Sequence, residues 1–270
     1  MVKAISFFKR KSGMSVESFQ EYWRTAHAEL VVKMPGIRRY VQSHTQPAGY
    51  RKGEPIYDGI AEIWFDETQA MRALAGTREY AAIQADEIQF IDRATMGLII
   101  TEDHVIKNGP VPPNGMKNIE FINHRPGMTI EAFQKYWREV HGPLAALIPV
   151  VRRYVQSHTR RAIYESGRTP RFDGVALTWF DDTQAMRLSA ATPEYARVRA
   201  DEANFIRPNS PFLIAREPWT SRQYFWNASM VIPGLWLMNS IFFTPFRGTA
   251  PSLITWSSVT INPIDARSMN

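Results

Sequence analysis

Apolar and polar positions alternate from the first residues of the chain. In "KAISFFKR" they trade places at period two, which predicts a β-strand. The period then lengthens. "SGMSVESFQEYWRTAHAELVVKM" puts Val16, Phe19, Trp23 and Leu30 at near-helical spacing behind Ser15, a candidate N-cap, and Pro35-Gly36 ends the helix. "IRRYVQSHT" and "YDGIAEIWF" return to period two as a second and a third strand. "DETQAMRALAGTREYAAIQADEIQFI" is helical with a break at Gly76, and "TMGLIITEDHV" is a fourth strand. The order is β-α-β-β-α-β, a ferredoxin-like unit whose helices cover one sheet face and leave the other bare.

The same pattern then recurs. "RRYVQSHT" stands at Arg38–Thr45 and again at Arg152–Thr159, and about half of the positions in Lys3–Thr45 are identical in Lys117–Thr159. "WFDETQAMR" at Trp64–Arg72 matches "WFDDTQAMR" at Trp179–Arg187 with the offset increased by one, so one residue has been inserted between the blocks. The chain is an internal duplication, and its period is too long for a solenoid repeat. Two bare sheet faces in one chain can close on each other. The expected fold is therefore α+β: two tandem ferredoxin-like βαββαβ units, 1–107 and 117–218, closing into a pseudo-twofold α/β barrel. A Pro/Gly linker joins them over 108–116, and an irregular, aromatic C-terminal extension occupies 219–270. Within that extension Gln223–Phe246 is long enough to cross a bilayer, but Asn227, Pro233, Gly234, Asn239 and Pro245 interrupt it, so packing on the barrel or on a partner is expected instead of a membrane span.

Composition narrows the function classes. The 270 residues are 44% hydrophobic and 21% charged, with a formal net charge of +6. This suits a globular protein with a mildly basic, mixed surface, and no Lys/Arg run marks a nucleic-acid tract. The chain has no cysteine, which removes disulfides, zinc–thiolate sites and a cysteine nucleophile. The N-terminus is too short and too charged for a signal peptide, which points to the cytoplasm.

Four of the six histidines are paired by the duplication, His27 with His141 and His44 with His158; His104 and His124 are not. Alternation puts Arg38, Tyr40, Gln42 and His44 on one face of the second strand, and Arg152, Tyr154, Gln156 and His158 on the matching face of the second copy. If these rows face the barrel interior they form polar walls able to orient an oxygenated ligand. If they lie at an edge or between the copies, their groups satisfy one another. His27 lies one helical turn beyond Trp23, as His141 does beyond Trp137. An imidazole there either packs as a hydrogen-bonded core group or exchanges protons near neutral pH. Asp58 and Asp173, before glycines, could orient an imidazole or simply make a turn. Glu102 and Glu217 pair on the fourth strand, as a carboxylate base or as strand-end salt bridges. No metal-ligand spacing and no glycine-rich phosphate loop is present.

"FQEYWRTAHAELVVKMPGIRRYVQSH" and "FQKYWREVHGPLAALIPVVRRYVQSH" resemble the EthD family in their aromatic–Trp pair, the His four residues on, the following Leu and the Arg-Tyr strand. Here these are Tyr22, Trp23, His27, Leu30, Arg39 and Tyr40, then Tyr136, Trp137, His141, Leu144, Arg153 and Tyr154. The first copy departs with "HAEL" where the second keeps "HGPL". The resemblance covers about residues 1–218 and implies a dimeric α/β barrel with a ligand pocket in the barrel or at its mouth. Relatives look like cyclases, dehydratases, decarboxylases and lactone isomerases, while other dimeric α/β barrels bind haem or act as monooxygenases.

The expectation is a cofactor-free lyase, cyclase or isomerase acting on a small oxygenated, aromatic or lactone-like compound. His27 and His141 would be acid/base groups, and Tyr40 and Tyr154 would polarise the substrate oxygen. Trp23, Arg38, Gln42, His44, Trp137, Arg152, Gln156 and His158 would bind the substrate. No metal and no cofactor is expected. The alternatives are a non-catalytic binding protein and a haem-binding or cofactor-free monooxygenase. The second copy, closer to the family pattern, is expected to hold the dominant site. The expected assembly is a pseudo-dimer within the chain, with further oligomers open.

Overall fold

A computed structural model describes residues 1–51 and 53–217; the extension expected over 219–270 lies outside the described residues. The first copy runs β1 (Val2–Arg10), α1 (Val16–Tyr22), α2 (Ala28–Val31), β2 (Ile37–Thr45), β3 (Gly59–Phe65), α3 (Thr68–Ala73), α4 (Arg78–Phe90) and β4 (Ile91–Lys107). The second runs β5 (Met116–Ile122), α5 (Ile130–Tyr136), α6 (Gly142–Ala146), β6 (Arg153–Thr159), α7 (Arg161–Glu165), β7 (Gly174–Phe180), α8 (Thr183–Ser189), α9 (Pro193–Glu202) and β8 (Phe212–Arg216). Ser15 caps α1 as its sequence suggests, accepting a hydrogen bond from the Ser18 amide. The break at Gly76 is a short 3₁₀ turn between α3 and α4.

The copies form sheets of order β4-β1-β3-β2 and β8-β5-β7-β6, and β2 against β8 and β6 against β4 close them into one antiparallel barrel. Every backbone edge of these strands thereby finds a partner within one chain. Register corrects one sequence pairing. Lys3 stands opposite Thr101 and Lys117 opposite Ala215, which makes Asp103, not Glu102, the counterpart of Glu217. The residue gained between the first blocks has been lost again before the last strand. Glu102 is on the outside, bound to Arg160 at 2.7 Å.

Both faces of β1 are buried over most of its length, so apolar residues dominate both. On β1, Ile5 and Phe7 point into the barrel with Ile60, Ile99, Ile119, Phe121, Val175 and Leu177, whereas Val2, Ala4 and Phe8 meet the helices. Toward the other end the interior turns ionic. Lys3 binds Glu62 at 3.1 Å and Asp103 at 2.7 Å, and Lys117 binds the same Glu62 carboxylate and Glu217 at 2.7 Å. Trp64 and Trp179 donate to Asp103 and Glu217 and lie beside the two ammonium groups. The cluster is twofold-symmetric except that Glu62 faces Leu177 in the duplication and Asp103 stands where the second copy has Glu217. The barrel lumen is thus a packed core, leaving about 30 Å³ at its ionic end.

Candidate functional site

The first helix of each copy is interrupted by a π-helical turn, Trp23–His27 and Trp137–His141. Such a turn breaks the regular backbone ladder and frees a carbonyl. Here a side chain meets it: Gln42 Nε2 donates to Trp23 O at 2.8 Å, and Gln156 Nε2 to Trp137 O at 2.7 Å. The same amides donate to the hydroxyls of Tyr40 and Tyr154, which also accept from the indoles of Trp23 and Trp137 at 3.0 and 3.1 Å. Each tyrosine oxygen therefore receives two hydrogen bonds and keeps its own hydrogen to give. Burial raises both phenols above their usual range and holds them protonated.

His44 and His158 lie flat on the two tryptophans, with ring centroids 4.3 and 4.4 Å apart, and meet the carbonyl oxygens of Gln42 and Gln156. An amide oxygen only accepts, so Nε2 donates. Burial pushes His44 down to about 3 and His158 to about 2, so both rings are neutral braces. Gly59 and Gly174 complete the arrangement. A Cβ on either would stand 2.5 or 2.6 Å from the indole, which explains the glycine after Asp58 and Asp173. Those aspartates tie down loops. Asp58 holds Arg10 and Tyr50, and Asp173 holds His124 and Tyr164, so neither orients the paired histidines.

That task falls to α4 and α9. Asp86 meets His27 Nδ1 at 2.8 Å, and Asp201 meets His141 Nδ1 at 2.9 Å, while Tyr22 and Tyr136 donate to the other carboxylate oxygens. Burial lowers both histidines, partly offset by these carboxylates. Burial also pushes the Asp201 carboxyl up, but hydrogen bonds from Tyr136, Asn204 and His141 outweigh it and keep the group ionised. A neutral ring donating Nδ1–H to a carboxylate presents Nε2 as a lone pair, the form a general base needs. No partner for Nε2 of His141 is found among the described residues.

The copies differ in what surrounds this imidazole. In the second, His141 and Tyr154 line a cavity of about 90 Å³ between sheet and helices, bounded by Ile148, Thr178, Ser189 and Glu202. The first copy has Met34, Ile63 and Leu74 at the matching positions of Ile148, Thr178 and Ser189. There Leu74 and Met34 are buried in the apolar core with Tyr40, and Ile63 packs against them.

The structure thus brings His141, Tyr154, Trp137 and Gln156 together, and likewise His27, Tyr40, Trp23 and Gln42, but beneath the helices and not inside the barrel as a lumen-facing polar wall requires. His44 and His158 support the tryptophans. Arg38 and Arg152 turn outward to Asp66 and Asp181 at 2.7 and 2.8 Å. Sequence reasoning missed Asp86, Asp201 and Glu202. The repeated "ADE" at 85–87 and 200–202, ahead of a shared Phe, was the available signal. Among the described residues no group of three His, Asp or Glu side chains converges as a metal site, and no helix is long and apolar enough to cross a membrane.

Among solved structures the chain is similar to an anthrone oxidase-like protein, with 10% identity, TM-score 0.58, 80% of this chain covered and 90% of that one. It is also similar to an ethyl tert-butyl ether D (EthD) family protein from Bacillus halodurans, with 26% identity, TM-score 0.32, 38% of this chain covered and 97% of that one. The first likeness is one of fold. No curated protein matches. The sequence model of the EthD domain matches twice, at residues 11–94 and 125–209, one match in each βαββαβ unit. With both matches together spanning more than half of its length, the chain belongs to the EthD domain family.

Proposed function

We propose that the protein is a cofactor-independent acid/base enzyme of the lyase or isomerase type, working in the second copy on the carbon next to a carbonyl of a small oxygenated compound. His141 Nε2 removes a proton from that carbon. Asp201 holds the ring and stabilises the imidazolium that forms. The Tyr154 hydroxyl, its oxygen already occupied by Trp137 and Gln156, gives its hydrogen to the carbonyl oxygen as negative charge develops there. What carries the reading is the pairing on one cavity wall of an imidazole with a free lone pair and a phenol with a free hydrogen.

The reaction is tested without knowing the natural substrate. Hydroxylated aryl ketones and butenolides are incubated with the protein in D₂O, and deuterium uptake beside the carbonyl is followed by proton NMR. Uptake above background is expected for part of the panel. His141→Ala should slow it about a hundredfold or more. Uptake that His141→Ala leaves unchanged would refute the assignment.

A further inference from the structure

Outside the inner cavity lies a second chamber of about 720 Å³, bounded further out by Met186, Arg187 and Phe212. The two share a wall that includes Asn118, Glu120, Ser189, Tyr195, Arg199 and Glu202, so the reacting end of a ligand that enters from outside passes between them. Two carboxylates in that neck meet one guanidinium. Arg199 Nη1 stands 2.7 Å from Glu202 and 3.6 Å from Glu120. Two mostly buried carboxylates share one half-exposed guanidinium that stands nearer Glu202 than Glu120, an arrangement that favours a proton on one of them. The first copy lacks this arrangement: Ser6, Gln84 and Glu87 stand where the second has Glu120, Arg199 and Glu202. Asn118 Oδ1, on the same wall, is buried with no partner among the described residues, an acceptor open to a ligand hydroxyl.

We propose that Glu120 and Glu202 carry one proton between them, and that Glu202 hands it to a hydroxyl leaving the substrate, which makes the reaction the dehydration of a β-hydroxy carbonyl compound. The proposal rests on the His141 reading above. The step balances. The His141 Nε2 lone pair takes a proton from the carbon between the carbonyl and the hydroxyl-bearing carbon, and the C–H electrons pass into an enolate held by Tyr154. As the carbonyl re-forms, those electrons make the carbon–carbon double bond and the C–O bond breaks. The departing oxygen takes the Glu202 proton and leaves as water toward the outer chamber. Imidazolium and carboxylate remain, and the proton returns from one to the other through solvent.

The charged groups around Glu202 are Glu120 from β5 and Arg199 and Asp201 from its own helix; the titratable Tyr154 of β6, Tyr195 of α9 and His141 share the cavity, and Ala145 of α6 and Ile148 beyond it carry no charge. Burial, reinforced by Glu120, raises the Glu202 carboxyl to about 7. Burial also raises Glu120, with Arg199 opposing. A group that gives up a proton on this scale works below its own pKa, so dehydration falls as pH rises through about 7.

The probe is 4-hydroxy-4-phenylbutan-2-one, whose dehydration gives a conjugated enone that absorbs in the near ultraviolet. Deuterium uptake at its C3 reports the His141 step, and enone formation reports the Glu202 step. The full-length protein is expected to do both. His141→Ala should lose both, while Glu202→Gln should lower the ratio of enone formation to C3 uptake at least tenfold. Glu120→Gln, which removes the neighbouring negative charge, should move the alkaline limb of enone formation to lower pH. Uptake without enone in the wild type, enone formation at the wild-type rate by Glu202→Gln, or an alkaline limb that Glu120→Gln leaves in place would each overturn the proposal while the His141 reading stands. Absence of C3 uptake in the wild type together with the whole ketone and butenolide panel would sink both. If Glu202→Gln does not fold, as read by circular dichroism, the Glu120→Gln pH profile decides.

Discussion

Glu62 is the one carboxylate that two ammonium groups from different copies share, and its removal has a calculable outcome. Glu62, Lys3 and Lys117 are each 1% exposed, so water screens little of the attraction among these three. Glu62→Gln keeps the volume and removes the charge. Lys3 still has Asp103 at 2.7 Å, and Lys117 still has Glu217 at 2.7 Å and Ser43 at 3.2 Å, so no ammonium is orphaned. What is lost is two charge-assisted hydrogen bonds, each worth ~1.5–3 kcal/mol, set against the desolvation that a buried carboxylate no longer suffers. The net expectation is a loss of about 2 kcal/mol. Lys117→Met is different, because it leaves Glu217 without a cation and Glu62 with Lys3 alone. Removing one partner of a buried pair costs ~3–5 kcal/mol. Urea denaturation at pH 7, followed by tryptophan fluorescence and far-ultraviolet circular dichroism, gives both values. Lys117→Met should be the less stable variant by at least about 1 kcal/mol. Equal losses, or a Glu62→Gln variant as stable as wild type, would refute the view of the cluster as a shared clamp. Burial raises the Glu62 carboxyl, but Lys117 and Lys3 outweigh it and hold the group at about 2. Its folded value thus lies below its unfolded value. The stability it contributes is complete above the ordinary glutamate range and is lost as pH falls through about 2, so the gap between wild type and Glu62→Gln should close on acidification.

Further outcomes are expected. Ser189→Leu, which gives the second copy the residue that fills the first, should abolish deuterium exchange without unfolding the protein, whereas His27→Ala should leave exchange near wild type. Gly174→Ala should cost about 1–3 kcal/mol in urea denaturation, since its Cβ would meet Trp137 at 2.6 Å and the Ser157 carbonyl at 2.7 Å. Glu202, raised to about 7, favours the folded state only while protonated, so the stability advantage of wild type over Glu202→Gln should shrink as pH rises through 7. Cutting the chain within Asn108–Gly115 should yield halves that copurify through β2–β8 and β6–β4; an isolated first half that is a soluble monomer would contradict barrel closure as the source of stability.

The fold was legible because period and duplication are local signals. Period two in β1 and β2, helical spacing from Ser15, and Gly76 as a breaker each depend on neighbours in the chain. Which face of β2 looks where is not local. Both faces are buried, so no solvent-facing polar row marks one of them. Polarity suggested that Tyr40, Gln42 and His44 line the lumen. In fact the lumen takes Lys3, Glu62 and Lys117. The polar row serves the frayed backbone of a π turn, which no periodicity announces. Asp86, Asp201 and Glu202 were hidden for a similar reason. Carboxylates among charged residues on a helix read as a solvated face, and only the packing of α4 against α2 and of α9 against α6 turns them inward. Glu102 was paired wrongly because a one-residue loss ahead of β8 leaves no mark in composition.

The duplication itself has a physical consequence that two separate copies could not have. In a homodimer of one βαββαβ unit, every substitution appears twice across the axis. A glutamate at the Glu62 position would bring a second one, putting two carboxylates where two lysines now share one. An alanine at the Leu177 position would open two voids. Fused copies escape that constraint. Here the chain places one carboxylate between Lys3 and Lys117 and packs Leu177 opposite, so the two sheets are complementary and not merely self-complementary. The same freedom acts under the helices. The first copy fills the space beside His27 with Leu74, Ile63 and Met34 and contributes stability. The second keeps Ser189, Thr178 and Asn118 and with them a cavity, at the cost of a buried Asn118 Oδ1 that has no partner among the described residues. A cavity lined by raised carboxyls weakens its own half, and the closed barrel shares that weakness with a half whose matching space is filled by Leu74, Ile63 and Met34.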